Sequence, residues 1–419
     1  MPLQVILAPV GTTGDVLPFI GIALRLKERG HRVVVAASGS YRAMLDAAGI
    51  ELVETLDAKS DAAALDHPNF WRPTRGLRRF TERMILPSVR PQVAAIQARA
   101  ERGNTVLVGS TFAFGARIAS EKLGLPMVSI HLAPAALRSF KETPAVANIP
   151  AFPRLPRSTK RLLYWYFDRF VFDPVMCPRL NEIRRSYDLP PITRPLQSWL
   201  HSPTRVIGLF PPWFAAPARD WPPQVKLTGF PLYDGPESQP LPRELRRFLR
   251  EGTPPIVFTA GTAMSHGESF FRAAVDACVR LNVRGVLISA AARQLPEETP
   301  LTVRAFAYAP FSHLLKRARA IVHHGGIGTA AQALKAGIAQ VVVPMAYDQP
   351  DNSARLVRLG VASTLPPRRL DGASLASTLQ RLLARSDLSA RLAEAQEHFE
   401  GDRSLDETCR LIEETAAVH

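Results

Sequence analysis

The segment Ile321-Val-His-His-Gly-Gly-Ile-Gly-Thr329 sets two histidines against three glycines. The apolar run Ala320–Val322 leads into it, and a helical pattern over Thr329–Ala336 leads out to Gly337. A glycine-rich turn that opens a helix gathers bare backbone N–H groups at the positive end of the helix dipole, a place for a phosphate or pyrophosphate. His324 can add one more hydrogen bond there. Eleven residues beyond Gly337, Asp348 and Gln349 follow a second apolar run, Gln340–Pro344. A carboxylate beside an amide can hold neighbouring hydroxyl groups. A phosphate cradle together with a hydroxyl grip describes a nucleotide sugar.

Three other turns carry polar groups. In Val10-Gly-Thr-Thr-Gly-Asp-Val-Leu-Pro18 the glycines turn a first strand into a first helix, and Asp15 stands at the helix start. That is the edge where α/β proteins bind ligands. On this turn alone, Asp15 reads first as a helix cap. Phe258-Thr-Ala-Gly-Thr262 ends a strand with Gly261 and Thr262, an N–H and a hydroxyl for a phosphate. Tyr308 before Ala309-Pro310 can lay a ring beside a nucleobase, although a lone tyrosine is more often core.

These turns need strands and helices behind them. The chain has 419 residues, 46% of them hydrophobic, enough for two full α/β cores. Strand patterns at Leu3–Pro9, His31–Ala37, Thr105–Val108 and Pro126–Ile130 alternate with helical ones at Val16–Gly30 and Tyr41–Ala48. This rhythm predicts a parallel, doubly wound sheet. It restarts at Pro255–Ala260 and runs to about residue 385, followed by one or two helices over Leu388–Ala417. The expected boundaries are a first domain over 1–215, a Pro- and Gly-rich linker over 216–236, a second domain over 237–387 and terminal helices over 388–419. Residues 136–200 break the rhythm with prolines and the aromatic-basic run Lys160–Phe172. Its apolar positions fit one broad helical face, which suits core packing first, with an apolar cleft or a membrane surface as the alternatives.

No apolar run has the length of a membrane-spanning helix, and Leu3–Ala8 reads as a strand without the basic flank of a signal peptide. Cys177, Cys278 and Cys409 lie far apart, as free thiols of a cytoplasmic protein do. A net charge of +15 suits an anionic substrate or an anionic membrane face, and equally a generic arginine-rich surface with no such partner; without zinc-finger spacing or an RNA-binding aromatic signature, nucleic acid ranks last.

The segment Tyr308–Gln349 resembles the nucleotide-sugar signature of the UDP-glycosyltransferase superfamily, and GTTGDVLP resembles the matching turn of its bacterial macrolide and glycopeptide branch. The resemblance runs over essentially the whole chain. In GTTGDVLPFIGIA, HSPTRVIGLFPPWFA, DWPPQVKLTGFPLYDG and HHGGIGTAAQALKAGIAQVVVPMAYDQPDNSARLVRLG the chain looks most like the branch that moves L-rhamnose from dTDP-L-rhamnose to hydroxyacyloxy-alkanoic acids, giving mono-rhamnolipids. The resemblance implies the GT-B architecture: two Rossmann-like, doubly wound α/β domains facing a central cleft, with the C-terminal helices packing back toward the N-terminal domain. It implies that Asp15 is the general base and that Tyr308 stands where a tryptophan stacks on the base. It places His324, Gly326, Gly328 and Thr329 in the pyrophosphate cradle, and Asp348 and Gln349 on the donor sugar. Where plant members carry a ribose-binding glutamate, this chain has Gln332. An amide is the weaker acceptor for a diol, which suits a deoxyribose donor such as a dTDP-sugar over UDP-glucose.

The expected reaction is a single inverting displacement with no metal and no cofactor beyond the donor. Thr13, Trp71 and His131 are candidate acceptor contacts; His131 could equally serve the fold. The expected acceptor is hydrophobic, an anionic lipid or a polyphenol, macrolide or sterol-like compound. The expected location is the cytoplasm, with peripheral contact with the inner membrane open. An epimerase or a sugar-nucleotide binder remain as other classes, and Asp15 as the lone acid beside its turn argues against the epimerase.

Overall fold

The structure is a computed structural model that describes residues 2–67, 73–146, 149, 151–235, 240–261, 264 and 267–417. The chain forms two compact units: residues 1–233 with 403–419, and residues 234–402.

The first unit is built on the strands β1 (Gln4–Ala8), β2 (Arg32–Ser38), β3 (Glu51–Leu56), β4 (Thr105–Ser110), β5 (Met127–His131), β6 (Arg205–Gly208) and β7 (Val225–Leu227). They lie in the order β3-β2-β1-β4-β5-β6-β7, every pair parallel. Alternate residues of a strand face opposite sides. Val5 and Leu7 therefore join the core under the helix Thr13–Glu28, while Ile6 and Ala8 join the core under the helices Leu86–Gln97 and Phe114–Leu123. Two of these strands were not legible. β3 is a sheet-edge strand with one buried residue, and β7 lies inside the Pro-rich stretch read as the linker.

The second unit holds β8 (Ile256–Thr259), β9 (Gly285–Ile288), β10 (Val303–Phe306), β11 (Ala320–His323), β12 (Ala339–Val342) and β13 (Ala362–Thr364). The order is β10-β9-β8-β11-β12-β13, again all parallel. Its helices include Ile327–Lys335 and Gln349–Arg358.

The two terminal helices part company. Leu388–Glu397 stays with the second unit, where Gln396 donates to the carbonyl of Lys335. Ser404–Ala417 belongs to the first unit. Cys409, Leu411 and Ile412 complete the core under Phe19 and Ile22, and Arg29 pairs with Glu413 at 2.7 Å. Of the two terminal helices only the last therefore returns to the N-terminal unit, and the boundary at 233/234 falls inside the stretch 216–236 read as the linker, most of which belongs to the first unit.

One buried ion pair holds the helix Gln349–Arg358. The Arg355 guanidinium meets the Asp351 carboxylate at 2.8 Å, with side chains 3% and 2% exposed. Removing one partner of such a pair leaves a buried charge without its counter-ion, which costs about 3–5 kcal/mol. Asp351→Ala is expected to lower the unfolding free energy measured in urea by that amount, whereas a change under about 1 kcal/mol would show that the pair is not buried in solution.

Candidate functional site

In both sheets the second and third strands run outward to one side of the first, and the fourth runs to the other. A crevice opens where the order reverses, at the carboxyl ends of the strands. In the first unit this switch point lies between β1 and β4; in the second, between β8 and β11.

At the first switch point the chain leaves β1 through Pro9-Val10-Gly11-Thr12, pinned where the Val10 N–H donates to Ser110 Oγ of β4 at 2.9 Å. Gly11 has φ +144°, and a Cβ there would strike the Asp15 carboxylate. The helix N-cap is Thr12, not Asp15. Asp15 sits in the first helical turn and reaches back, its Oδ2 accepting from the Thr12 N–H at 2.7 Å and the Thr12 hydroxyl at 3.0 Å. This reciprocal cap holds the carboxyl in one orientation. Burial pushes the Asp15 pKa up, against the opposing pull of the Thr12 bonds. A more basic carboxylate is the better proton acceptor.

Sequence reasoning missed what stands behind it. The Tyr41 hydroxyl donates to the Gly11 carbonyl at 3.1 Å. Burial and the nearby charges of Asp61 and Asp15 push that phenol up. Asp61 is 1% exposed, and desolvation raises its pKa. Asp61, Tyr41, Ser38, Ser88 and Gly11 line a cavity of about 20 Å³, room for one water. Asp15 is therefore not the lone acid near its turn.

The candidate acceptor contacts separate. Thr13 is half-buried at the helix start. Trp71 lies outside the described residues, as does the donor candidate Thr262. His131 is fully buried, with Nδ1 2.9 Å from Thr111 Oγ1 and Nε2 2.9 Å from His201 Nδ1. Both ring nitrogens are engaged within the protein, which places His131 behind Thr111 as a residue that serves the fold. Burial and the neighbouring ring hold His131 well below the ordinary histidine value.

At the second switch point β11 ends in His323, and the chain turns through His324, Gly325 at φ +95° and the N-cap Gly326. Helix geometry leaves the amides of Ile327, Gly328 and Thr329 without a carbonyl ahead of them. A Cβ at Gly328 would meet open space, so a ligand can approach the helix end closely. The His324 ring packs between Gly261 and Gly326, where a Cβ on either would lie within 3.0 Å of it. Burial lowers its pKa to about 4, so it is a neutral donor, and among the described residues its Nδ1 has no hydrogen-bond partner. A neutral imidazole beside free amides suits a diphosphate.

The turn is fixed from behind. The Gly325 N–H donates to His323 Nδ1 at 3.1 Å, which leaves Nε2–H to donate to Gln340 Oε1 at 3.0 Å. His323 is fully buried with its pKa lowered to about 3, chiefly by desolvation. Asn352 donates both to the Gly325 carbonyl at 2.9 Å and to Asp348 Oδ2 at 2.7 Å. One side chain thus ties the phosphate turn to the sugar-binding candidate. Tyr347, just before Asp348, is forced to φ +59°, a strained backbone for a side chain of its size.

Gln349 corrects the expected hydroxyl grip. It is 4% exposed, and its Oε1 accepts from the N–H groups of Met345 and Ala346 at 2.8 and 3.0 Å. The amide oxygen serves the loop, which leaves only the NH₂ group for a ligand. Gln332 is buried farther along the helix. Tyr308 is 45% exposed after β10, and its hydroxyl donates to the Asp234 carbonyl at 2.5 Å.

The buried imidazoles give the protein an acid limit. His201 and His324 have pKa values lowered to about 4 and His323 to about 3, and His131 lies well below 6.5. All four are neutral when folded and take up protons on unfolding. Their contribution is complete above pH 6.5 and is lost as pH falls toward the folded values. The raised carboxyls of Asp15 and Asp61 act in the opposite sense but are fewer. The unfolding free energy measured in urea is expected to drop between pH 6.5 and 4.5, by up to about 1.4 kcal/mol per pH unit for each histidine. A flat profile would contradict neutral burial.

Known proteins share this architecture. The model of the glycosyltransferase family 28 N-terminal domain matches residues 5–140, and that of the erythromycin biosynthesis protein CIII-like C-terminal domain matches residues 272–415. The O-mycaminosyltylonolide 6-deoxyallosyltransferase of Streptomyces fradiae is 29% identical over 421 residues, covering 99% of this chain and 98% of that one. The solved glycosyltransferase of kitacinnamycin superposes with a TM-score of 0.76 at 19% identity, covering 99% of both chains. The spinosyn rhamnosyltransferase SpnG complexed with thymidine diphosphate superposes with a TM-score of 0.70 at 18% identity, covering 98% of this chain and 100% of that one. The chain belongs to the GT-B glycosyltransferases of the macrolide and antibiotic type, within the UDP-glycosyltransferase superfamily.

Proposed function

We propose that this glycosyltransferase moves L-rhamnose from dTDP-L-rhamnose to a hydroxyl of a hydrophobic acceptor, a hydroxyalkanoyloxy-alkanoic acid, with inversion and without a metal. The observation that carries the reading is the turn after β11, where free helix-end amides, an accessible Gly328 and a neutral His324 converge. The thymidine diphosphate of the spinosyn enzyme and the deoxysugar named for the S. fradiae relative support a dTDP-deoxysugar donor. The net charge of +15 supports an anionic acceptor.

In the proposed step the acceptor oxygen attacks the anomeric carbon while Asp15 takes its proton. The bond from that carbon to the diphosphate breaks, and dTDP leaves with the electron pair. The growing charge on dTDP is met by the amides of Ile327, Gly328 and Thr329 and by His324, donors already in place before the reaction. Asp348 holds sugar hydroxyls from the position in which Asn352 fixes it, and Gln349 contributes through its NH₂. Tyr308 stacks on the base.

Two measurements test this. At matched concentrations dTDP is expected to raise the melting temperature more than UDP, because a ligand of the folded state stabilises it. Equal shifts would remove the argument from Gln332, and no shift with either would remove the donor assignment. In turnover assays containing EDTA, Asp15→Asn is expected to lower kcat about 10²–10⁴-fold while the dTDP shift persists. Loss of wild-type turnover in EDTA, or full turnover by the variant, would overturn the mechanism.

A further inference from the structure

The helical run after residue 156 is built inside out. It comprises the helix Arg157–Phe167, a π-bulge over Asp168–Phe172 and the helix Asp173–Arg185. Its inward side carries charge. Lys160 is 5% exposed and donates to the Phe140 carbonyl at 3.2 Å. Asp168 is 2% exposed and takes a bidentate pair from Arg138, at 2.6 and 2.7 Å. The Arg138 guanidinium in turn lies over the rings of Tyr164 and Phe172.

Its outward side carries the large apolar groups. Leu162, Trp165, Tyr166 and Phe170 are 60%, 49%, 50% and 54% exposed. Their spacing puts them on one face, three and four residues apart. Trp165 and Tyr166 both contact Phe170, with ring centroids 5.8 and 5.1 Å apart, so the patch is contiguous. Core packing, the first expectation for this segment, describes only its half-buried rings, such as Tyr164 against Phe140 and Phe152; the ions are buried while Trp165, Tyr166 and Phe170 face outward.

The charge around the patch identifies what it meets. Arg161 and Arg169 lie on the same exposed face, and Arg154 and Arg157 are exposed at its N-terminal end. Among the described residues Arg154, Arg161 and Arg169 form no ion pair with a carboxylate, and Arg169 lies over Phe170; Arg157 lies over Phe140 and is felt electrostatically by Asp220. From 154 to 172 the sequence has five basic residues and one acidic one, and that one, Asp168, is buried. Tryptophan, tyrosine and arginine on one exposed helical face match the polar–apolar boundary of a bilayer, with the rings at headgroup level and the guanidinium groups on lipid phosphates.

We propose that this face is a docking surface for an anionic lipid bilayer, reached peripherally and reversibly. The buried Arg138–Asp168 pair orients it by holding the helix with its rings outward. The surface is independent of the donor assignment and would stand if that assignment fell.

The test is flotation of the full chain with vesicles of phosphatidylcholine containing 30 mol% phosphatidylglycerol, and with phosphatidylcholine alone. The wild type is expected to float with the anionic vesicles at least tenfold more than with the neutral ones, and to be released by 0.5 M salt. Trp165→Ser/Phe170→Ser and, separately, Arg161→Gln/Arg169→Gln are each expected to lose at least tenfold of this binding. Their circular dichroism and urea midpoints should stay at wild-type values, since the changed side chains are exposed. Three results would overturn the proposal: no flotation of the wild type, flotation undiminished in both variants, or no flotation with a self-association in light scattering that the Trp165/Phe170 variant abolishes. The last would assign the face to a second copy of the chain.

Discussion

Strand direction is the constraint on which the molecule depends. Every pair in both sheets is parallel, so every turn from strand to helix opens on the same edge of its unit. That edge collects helix N-termini with their unpaired amides. Where the strand order reverses, the chain on either side leads away, and the end of the first strand stays accessible. The Gly11 turn and the Gly261–His324 contact occupy these two places. The chemistry of each site rests on backbone groups as much as on side chains, and parallel pairing is what assembles them.

Buried polar groups then hold the turns in register. A buried donor or acceptor left unpaired costs about 1–3 kcal/mol, so such groups persist where they are satisfied. Gln340 meets His323, His323 meets the Gly325 amide, and Asn352 meets the Gly325 carbonyl and Asp348. These contacts join β11, β12 and the helix Gln349–Arg358 through the main chain of one residue, Gly325. In the first unit Tyr41 plays the corresponding part on the Gly11 carbonyl. Each imidazole in these networks is kept neutral by burial, which makes the sites hydrogen-bonding devices more than charged ones.

Much of this was legible in the chain itself, and the rest was not for a definable reason. The turn at 321–329, Asp15 and the strand–helix rhythm depend on neighbours a few residues apart, and local spacing reveals them. Asn352 acts on Gly325 from 27 positions away, and His201 on His131 from 70, so pairing at a distance decides their roles. Gln349 was the right residue type at the right place, but nearby loop amides turned its oxygen inward. The segment 160–172 has an apolar periodicity that is equally consistent with burial and exposure. Only the Arg138–Asp168 pair, 30 residues apart, decides which side faces out.

The last helix has a consequence for the order of events during synthesis. Ser404–Ala417 closes a core whose other members, such as Phe19 and Ile22, lie near the start of the chain. A ribosome delivers the second unit whole before it delivers this closing piece. The first unit therefore waits, with one face of its sheet partly uncovered, while its neighbour folds. Nascent chains with apolar surface left uncovered are the ones that chaperones retain. The half of the protein that is made first is the half that matures last.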